Sequence, residues 1–234
     1  MKIALAILTW DELEGISNLY NRINFDLFDQ VFAIDPGSTD GTLEFFKSKN
    51  IPVLIQQKTG RGNAFREGLN HTDCDSIVFF SGDGNEDPDD LPNMIKYLKE
   101  GYDLVIGGRF IRKGCKSDNS DDKFRVRWFG NVIFSLVCRI IWRTGVFDSI
   151  NGYRAFKTDS MKKLKLDANK HEIELQSTIR ASKLKMKIKE FPTKELLRIG
   201  NPRKSTAGTM VLGKTLSKTL FKELIIRKKF VEEN

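Results

Sequence analysis

Residues 75–92, DSIVFFSGDGNEDPDDLP, join an apolar run to a crowd of acids. The run at 77–80 is short and rich in β-branched and aromatic residues with turn formers on both sides, which predicts a buried strand. Carboxylates packed at a strand's C-terminal end repel one another and add nothing to folding. A cation or polar ligand explains them better, and that end of the strand is where ligands bind in open α/β sheets. Asp83, Asn85 and Asp87 offer oxygen alone, which suits Mg²⁺ or Mn²⁺; such ions are commonly held by one or two carboxylates plus substrate phosphates. The competing use of the same acids is a solvated loop whose Asp89 or Asp90 caps the next helix.

The cations that could answer such a site lie elsewhere. Arg61 sits in TGRG, Arg109 follows an apolar run at 103–107, Arg154 lies in DSINGYRAF, and Arg198, Arg203 and Lys204 belong to the basic loop RIGNPRKS. His71 and His171 are the only histidines, and neither falls in an acid–base constellation. His71 reads as the end of a helix. The acids after His171 (HEIE) suit a helix start and need no catalytic role, because a helix N-terminus carries partial positive charge.

These residues need a frame, and the 234-residue chain is long enough for one α/β domain with a full core. Strands are expected at 2–8, 30–34, 51–55, 77–80, 103–107 and 186–191, with a further strand-like segment after the glycine turn within 148–156. Helices are expected at about 12–23, where Asp11 and Glu14 form a capping-box pattern, and after DPGSTDGT, after TGRG and from about 91 to 100. Strand and helix alternate with short loops, which predicts βαβ units and a mostly parallel twisted sheet covered on both faces. Met1 leads straight into a strand, leaving no room for a signal peptide. Cys74, Cys115 and Cys138 lack any paired spacing and read as reduced thiols of a cytosolic protein.

Charge divides the chain. Residues 1–110 carry 10 Lys/Arg against 18 Asp/Glu, net −8, and residues 111–234 carry 29 against 13, net +16. An acidic, cation-requiring half faces a basic half suited to an anionic partner. Nucleic acid is an unfavoured partner, since no helix-turn-helix, zinc or RNA-binding signature occurs. Residues 124–143 are mostly apolar, with Arg127, Asn131, Ser135 and Arg139 as a narrow polar stripe every fourth position. Such a helix is either buried or lies in a membrane interface. It is too short to span a bilayer, and tryptophans and arginines at its ends favour the interface. Residues 210–230 place Leu212, Leu216, Leu220 and Leu224 on one face among lysines. That is a basic amphipathic helix suited either to an anionic membrane or to docking on the domain.

TWDE, DPGSTDGT, GRGNA and GDGNEDP, followed by GGRF, DSINGYRAF and RIGNPRKS, occur in an order that resembles family 2 glycosyltransferases of the GT-A fold. The later motifs resemble the branch of dolichyl- and polyprenyl-phosphate sugar synthases. The resemblance implies a donor half (1–110), an acceptor half with amphipathic helices (111–208) and a C-terminal helix (209–234). It implies that Thr9, Trp10, Glu12, Asp35, Arg61, Gly62, Gly82 and Asp83 bind the donor nucleotide, with Arg198, Arg203 and Lys204 closing over its pyrophosphate. It assigns a divalent cation, Mg²⁺ or Mn²⁺, to Asp83 and Asn85, and an acceptor phosphate to Arg109, Arg127 and Arg154. Asp83 and Arg109 are the expected catalytic pair. Two positions depart from the family pattern: Ser81 stands for the first acid of Asp-x-Asp, which leaves Asp87 to be recruited, and Pro36 for the second acid of Asp-Asp-Gly-Ser.

The function expected is metal-dependent, inverting transfer from GDP-mannose or a UDP-hexose to a polyprenyl phosphate. A lipid phosphate is already anionic and needs orientation more than a base. The enzyme would sit peripherally on the cytoplasmic face of a membrane, with a homo-oligomer possible. The alternative is the same fold acting on a glycan hydroxyl, which must lose a proton and so needs a carboxylate or histidine within reach.

Overall fold

A computed structural model describes residues 1–111, 126–200 and 208–231, with the side chains of 126, 127, 209 and 231 left aside. The elements in order are β1 (Ile3–Leu8), α1 (Leu13–Tyr20), β2 (Gln30–Asp35), α2 (Thr42–Ser48), β3 (Val53–Ile55), α3 (Arg61–His71), β4 (Ser76–Ser81), α4 (Leu91–Lys99) and β5 (Leu104–Gly108). They continue with α5 (Val126–Trp142), β6 (Arg154–Lys157), α6 (Thr158–Lys163), α7 (Glu172–Lys183), β7 (Ile188–Pro192) and α8 (Thr209–Ile226). The strands form one seven-stranded sheet in the order β3-β2-β1-β4-β6-β5-β7. All pairings are parallel except those of β6, which runs against both β4 and β5.

β1 and β4 are buried at every position, as expected of central strands covered on both faces. Alternate residues serve opposite layers. Ala4, Ala6, Phe32, Ile34, Ile77 and Phe79 pack against α3, α6 and α7, where Phe65 stacks on Phe79 with ring centroids 4.0 Å apart. Ile3, Leu5, Ile7, Val78 and Phe80 pack against α1, α2 and α4. A third cluster, Cys138, Leu175, Ile179 and Leu216, joins α5 and α8 to the outer side of α7.

Two local expectations are corrected, and a third element shows which way its faces turn. Asp11 does not cap α1: it takes φ +52°, and the helix start is served from the neighbouring loop, where Asp40 Oδ2 accepts the Leu13 N–H at 2.9 Å. Asp90 stands at the N-cap of α4, but its side chain accepts no backbone N–H there and binds Thr193 and Asn93 instead, while Asp87 accepts the Asp89 N–H of the preceding 3-10 turn. α5 is oriented opposite to a soluble amphipathic helix. Its polar Asn131 and Ser135 are buried, while Phe129, Ile133, Leu136, Ile140 and Ile141 are exposed. The inward polar edge is used: Ser135 Oγ accepts the Ser149 N–H at 3.0 Å. Among the described residues no helix is long and apolar enough to cross a membrane.

Candidate active site

The C-terminal ends of β1, β2, β4, β5 and β7 all reach the same sheet edge, because these strands run parallel. β6 runs the other way and delivers the residues just before it, 151–153, to that edge. A cleft there is lined by Asp83, Asn85, Glu86, Arg61, Glu174, Arg109, Lys194 and Glu195, and Glu195 pairs through its backbone with Glu86.

The turns after β1 and β2 are sewn together. Asp11 N–H donates to Ser38 Oγ at 2.7 Å, and Asp11 Oδ1 accepts the Thr39 N–H at 2.7 Å. Asp35 is fully buried, and its two oxygens already accept from Thr9 Oγ, Ser38 Oγ and the N–H groups of Gly37 and Ser38. That corrects the expectation that Asp35 meets the nucleotide: with four donors on two oxygens and no exposure, it and Thr9 shape the turn. Trp10 stays 42% exposed beside this turn. Glu12 is buried, its Oε2 has no partner, and burial pushes its carboxyl up to about 8 against the pull of Arg198.

The acidic loop leaves β4 at Gly82, whose N–H donates to Leu8 O at 2.8 Å. Asp83 Oδ1 accepts the Asn85 N–H at 3.1 Å, and Asn85 Oδ1 is buried with no partner. These are hard oxygen donors on one cleft wall, and an orphan carbonyl oxygen is what an Mg²⁺ or Mn²⁺ ligand looks like before the ion arrives. No three His, Cys, Asp or Glu side chains converge as a metal cage among the described residues. Asp87 is not recruited, which corrects that expectation: its Oδ1 is held by Arg22 at 2.6 Å. The segment after β7 crosses over this loop. Leu196 N–H donates to Asn85 O at 2.7 Å and Ile199 N–H to Asp83 O at 3.1 Å. Arg198 thereby reaches both Glu12 and Asp83, the latter at 3.5 Å.

Arg61 forms the floor. Its Nε lies 2.7 Å from Glu174 Oε1 and its Nη2 3.5 Å from Glu86 Oε1. The guanidinium lies so close to Gly152 that a Cβ there would meet Nη2 at 2.0 Å. Gly62 answers a different need than a phosphate. A Cβ on it would sit 2.1 Å from Ala168 O, so this glycine lets α3 pass the 168–169 backbone, which corrects its placement at the nucleotide. Asp148 grips Arg109 through Nε at 2.7 Å and Nη2 at 3.0 Å, and Glu195 adds a bond at 3.2 Å. Burial opposes its charge, but the two carboxylates outweigh burial and raise its pKa above the ordinary value.

Arg154 does not line the cleft, contrary to expectation. It is fully buried and donates to Asn151 O, Ser149 O, Ser177 Oγ and Thr178 Oγ1. It braces the 149–151 loop against α7. Arg203 and Lys204 lie outside the described residues, as does the side chain of Arg127. The sequence left open that the HEIE segment borders the cleft, and His171 and Glu174 do line it, whereas Glu86, Asp148 and Glu195 carried no such expectation. Glu195 had a usable signal, standing just past a strand's C-terminal end; the others depend on partners far along the chain.

Buried carboxylates give the fold a pH signature. Burial raises Glu12 and Glu86 to about 8 and Glu174 and Glu190 to about 7. The folded chain therefore keeps protons that the unfolded chain releases near 4.5. Stability from these groups is present below that value and is lost as pH rises through 7 and 8. The thermal midpoint without ligand is expected to be lower at pH 8.5 than at pH 5.5, and a midpoint that rises over this interval would contradict the assignment.

The model of the family described as Glycosyl transferase family 2 matches residues 10–165, which contain the acidic loop and Arg109. The chain belongs to family 2 of the glycosyltransferases. It is 32% identical over 195 residues to the glycosyltransferase AglJ of Haloferax volcanii, covering 81% of this chain and 62% of that protein's length. It is 28% identical to an undecaprenyl-phosphate mannosyltransferase of Micrococcus luteus, over 82% of each chain. It is also 28% identical to a UDP-N-acetylglucosamine–dolichyl-phosphate N-acetylglucosaminyltransferase of Methanococcus voltae, over 83% of this chain and 85% of that one. The fold is that of glucosyl-3-phosphoglycerate synthase from Mycobacterium tuberculosis, solved with Mn²⁺ and UDP. The TM-score is 0.72 at 18% identity, covering 94% of this chain and 79% of that one. The GT-A expectation is thereby met: this is a glycosyltransferase similar to polyprenyl-phosphate sugar transferases.

Proposed function

We propose that this glycosyltransferase moves a hexose from a nucleoside diphosphate sugar to a polyprenyl phosphate, by single displacement with inversion, at a membrane surface. The observation that carries the reading is the cleft itself, which is lined by the oxygen donors Asp83 and Asn85 together with Arg109. The acceptor phosphate oxygen attacks the anomeric carbon, and the bond to the nucleoside diphosphate breaks. A divalent cation on Asp83 and Asn85 would neutralise charge growing on the departing diphosphate. Arg198 is within reach of the same diphosphate once it lets go of Glu12 and Asp83. Arg109, oriented by Asp148, positions the acceptor phosphate, which is already ionised and gives up no proton.

The membrane assignment draws on α5 and α8. The exposed apolar residues of α5 are joined on α8 by Met210, Val211, Phe221, Leu224 and Ile225, with Lys214, Lys218 and Lys222 also exposed. Apolar area of this kind with lysines beside it fits an anionic bilayer surface, each lysine adding about 1 kcal/mol.

The test offers GDP-mannose and UDP-hexoses, with Mn²⁺, to protein mixed with polyprenyl phosphate in anionic vesicles. Transfer to the lipid is expected, and the double variant Ile133→Asp with Ile140→Asp should keep donor binding while losing vesicle binding and transfer. The variant sedimenting with vesicles like the wild type would remove α5 from the interface. A second reading has its own support, because Glu195 lines the cleft and could take a proton from a hydroxyl acceptor. Transfer to a free glycan in place of the lipid phosphate, abolished by Glu195→Gln, would establish it.

A further inference from the structure

The transferred sugar must lie between the diphosphate it leaves and the phosphate it joins. What lines the cleft between those ends is therefore what the sugar meets. The cleft wall continues from Asn85 to Glu86, whose backbone pairs with that of Glu195, and Glu195 bonds Arg109. Below them lie Arg61 and Glu174. Glu174, in the first turn of α7, is only 2% exposed. Its Oε1 is spent on Arg61, but its Oε2 has no hydrogen-bond partner. A buried acceptor left unpaired on a cleft wall is costly unless a ligand completes it. Arg61 cannot turn to any other use, since Glu174, Glu86 and the Gly152 backbone hold it in place.

We propose that Glu174 reads the transferred sugar: Oε2 accepts a hydrogen bond from one sugar hydroxyl, and the Glu174–Glu86 pair selects a neutral hexose over a hexuronate. This rests on the donor reading above and adds which part of the donor is recognised and by what. The chemistry is one-sided. A carboxylate accepts and never donates when ionised, so it rewards a hydroxyl and repels a second carboxylate. Arg61 would be the natural partner for a uronate, but its guanidinium is already matched to two carboxylates.

The full-length protein with Mn²⁺ is titrated with UDP, GDP, UDP-glucose, GDP-mannose, UDP-glucuronate and single deoxy forms of the two hexose donors, for the wild type and for Glu174→Gln. In the wild type one deoxy position is expected to bind about 10- to 100-fold more weakly than its parent, the worth of one hydrogen bond to a charged acceptor. Glu174→Gln should lose that discrimination, bind the hexose donor about as weakly as the deoxy donor, and narrow the preference for hexose over hexuronate. Bare UDP and GDP should bind both proteins alike. A purely structural Glu174 would weaken nucleotides and nucleotide sugars equally and leave the deoxy and uronate ratios unchanged, which overturns the proposal while the donor reading stands. If the variant does not fold, the wild-type deoxy series decides alone, and indifference to every deoxy position overturns the proposal. Absence of binding by any nucleotide would overturn both readings.

Discussion

Asp83→Ala is expected to lower transfer by about 10³-fold, the scale on which a single preorganised charge-stabilising group acts. The argument starts from what surrounds Asp83. Ser81 removes one acid from the usual pair, Asp87 is tied to Arg22, and Glu86 spends one oxygen on the Ser81 N–H and leans the other toward Arg61. Asp83 is thus the carboxylate left to face an ion beside the Asn85 carbonyl oxygen. Its removal also takes away one of the anchors of Arg198. Two readouts separate these effects. Mn²⁺ binding followed by electron paramagnetic resonance should weaken in Asp83→Ala with no donor present, and the thermal midpoint should stay close to wild type because Asp83 lies at the cleft and outside the core. Full Mn²⁺ binding by the variant would move the ion elsewhere. Ser81→Asp, restoring the missing acid, should tighten Mn²⁺ binding in the same assay.

Much of the frame was legible because it is local. Apolar runs bounded by glycine and aspartate gave all seven strand regions, and the end of each parallel strand named the neighbourhood of the site. What escaped was decided by distant partners. Arg154 has the chemistry of a phosphate ligand, but Ser177 and Thr178, more than twenty positions on, take its guanidinium into the core. Gly62 sits in a phosphate-like motif, yet its missing side chain makes room for a carbonyl a hundred residues away. Asp35 spends itself on its own turn. α5 shows the limit of periodicity: the pattern told that polar and apolar faces differ, and only tertiary contacts told that the polar face turns inward.

α8 shows the same limit with a larger consequence. Its leucines at 212, 216, 220 and 224 marked an apolar seam, and Leu212, Leu216 and Leu220 do pack against the cluster with α5 and α7, but Thr219 and Glu223 are buried beside them and Leu224 is exposed. Glu223 is fully buried and accepts from Arg180 Nε at 2.8 Å and Lys183 Nζ at 2.6 Å, while Arg180 is itself 1% exposed, bonds Asp167 and has the Phe230 ring 4.6 Å away. Breaking a buried pair by removing one partner leaves an uncompensated charge, at a cost of about 3–5 kcal/mol. For a chain of this size that is a fall in thermal midpoint of roughly 6–20 °C. Glu223→Ala is expected to show it, together with faster amide exchange along α8. Glu223→Gln keeps the shape and an acceptor, so it should fall between. The double variant Arg180→Met with Glu223→Leu removes both principal charges and should recover much of the loss, since well-packed apolar pairs often match buried ion pairs. A fall below about 1 kcal/mol in Glu223→Ala would mean that α8 is held by its apolar contacts alone. The link to function is direct. α8 carries half of the exposed apolar surface assigned to the membrane, so a loosened α8 should weaken vesicle binding while leaving Mn²⁺ binding at Asp83 intact.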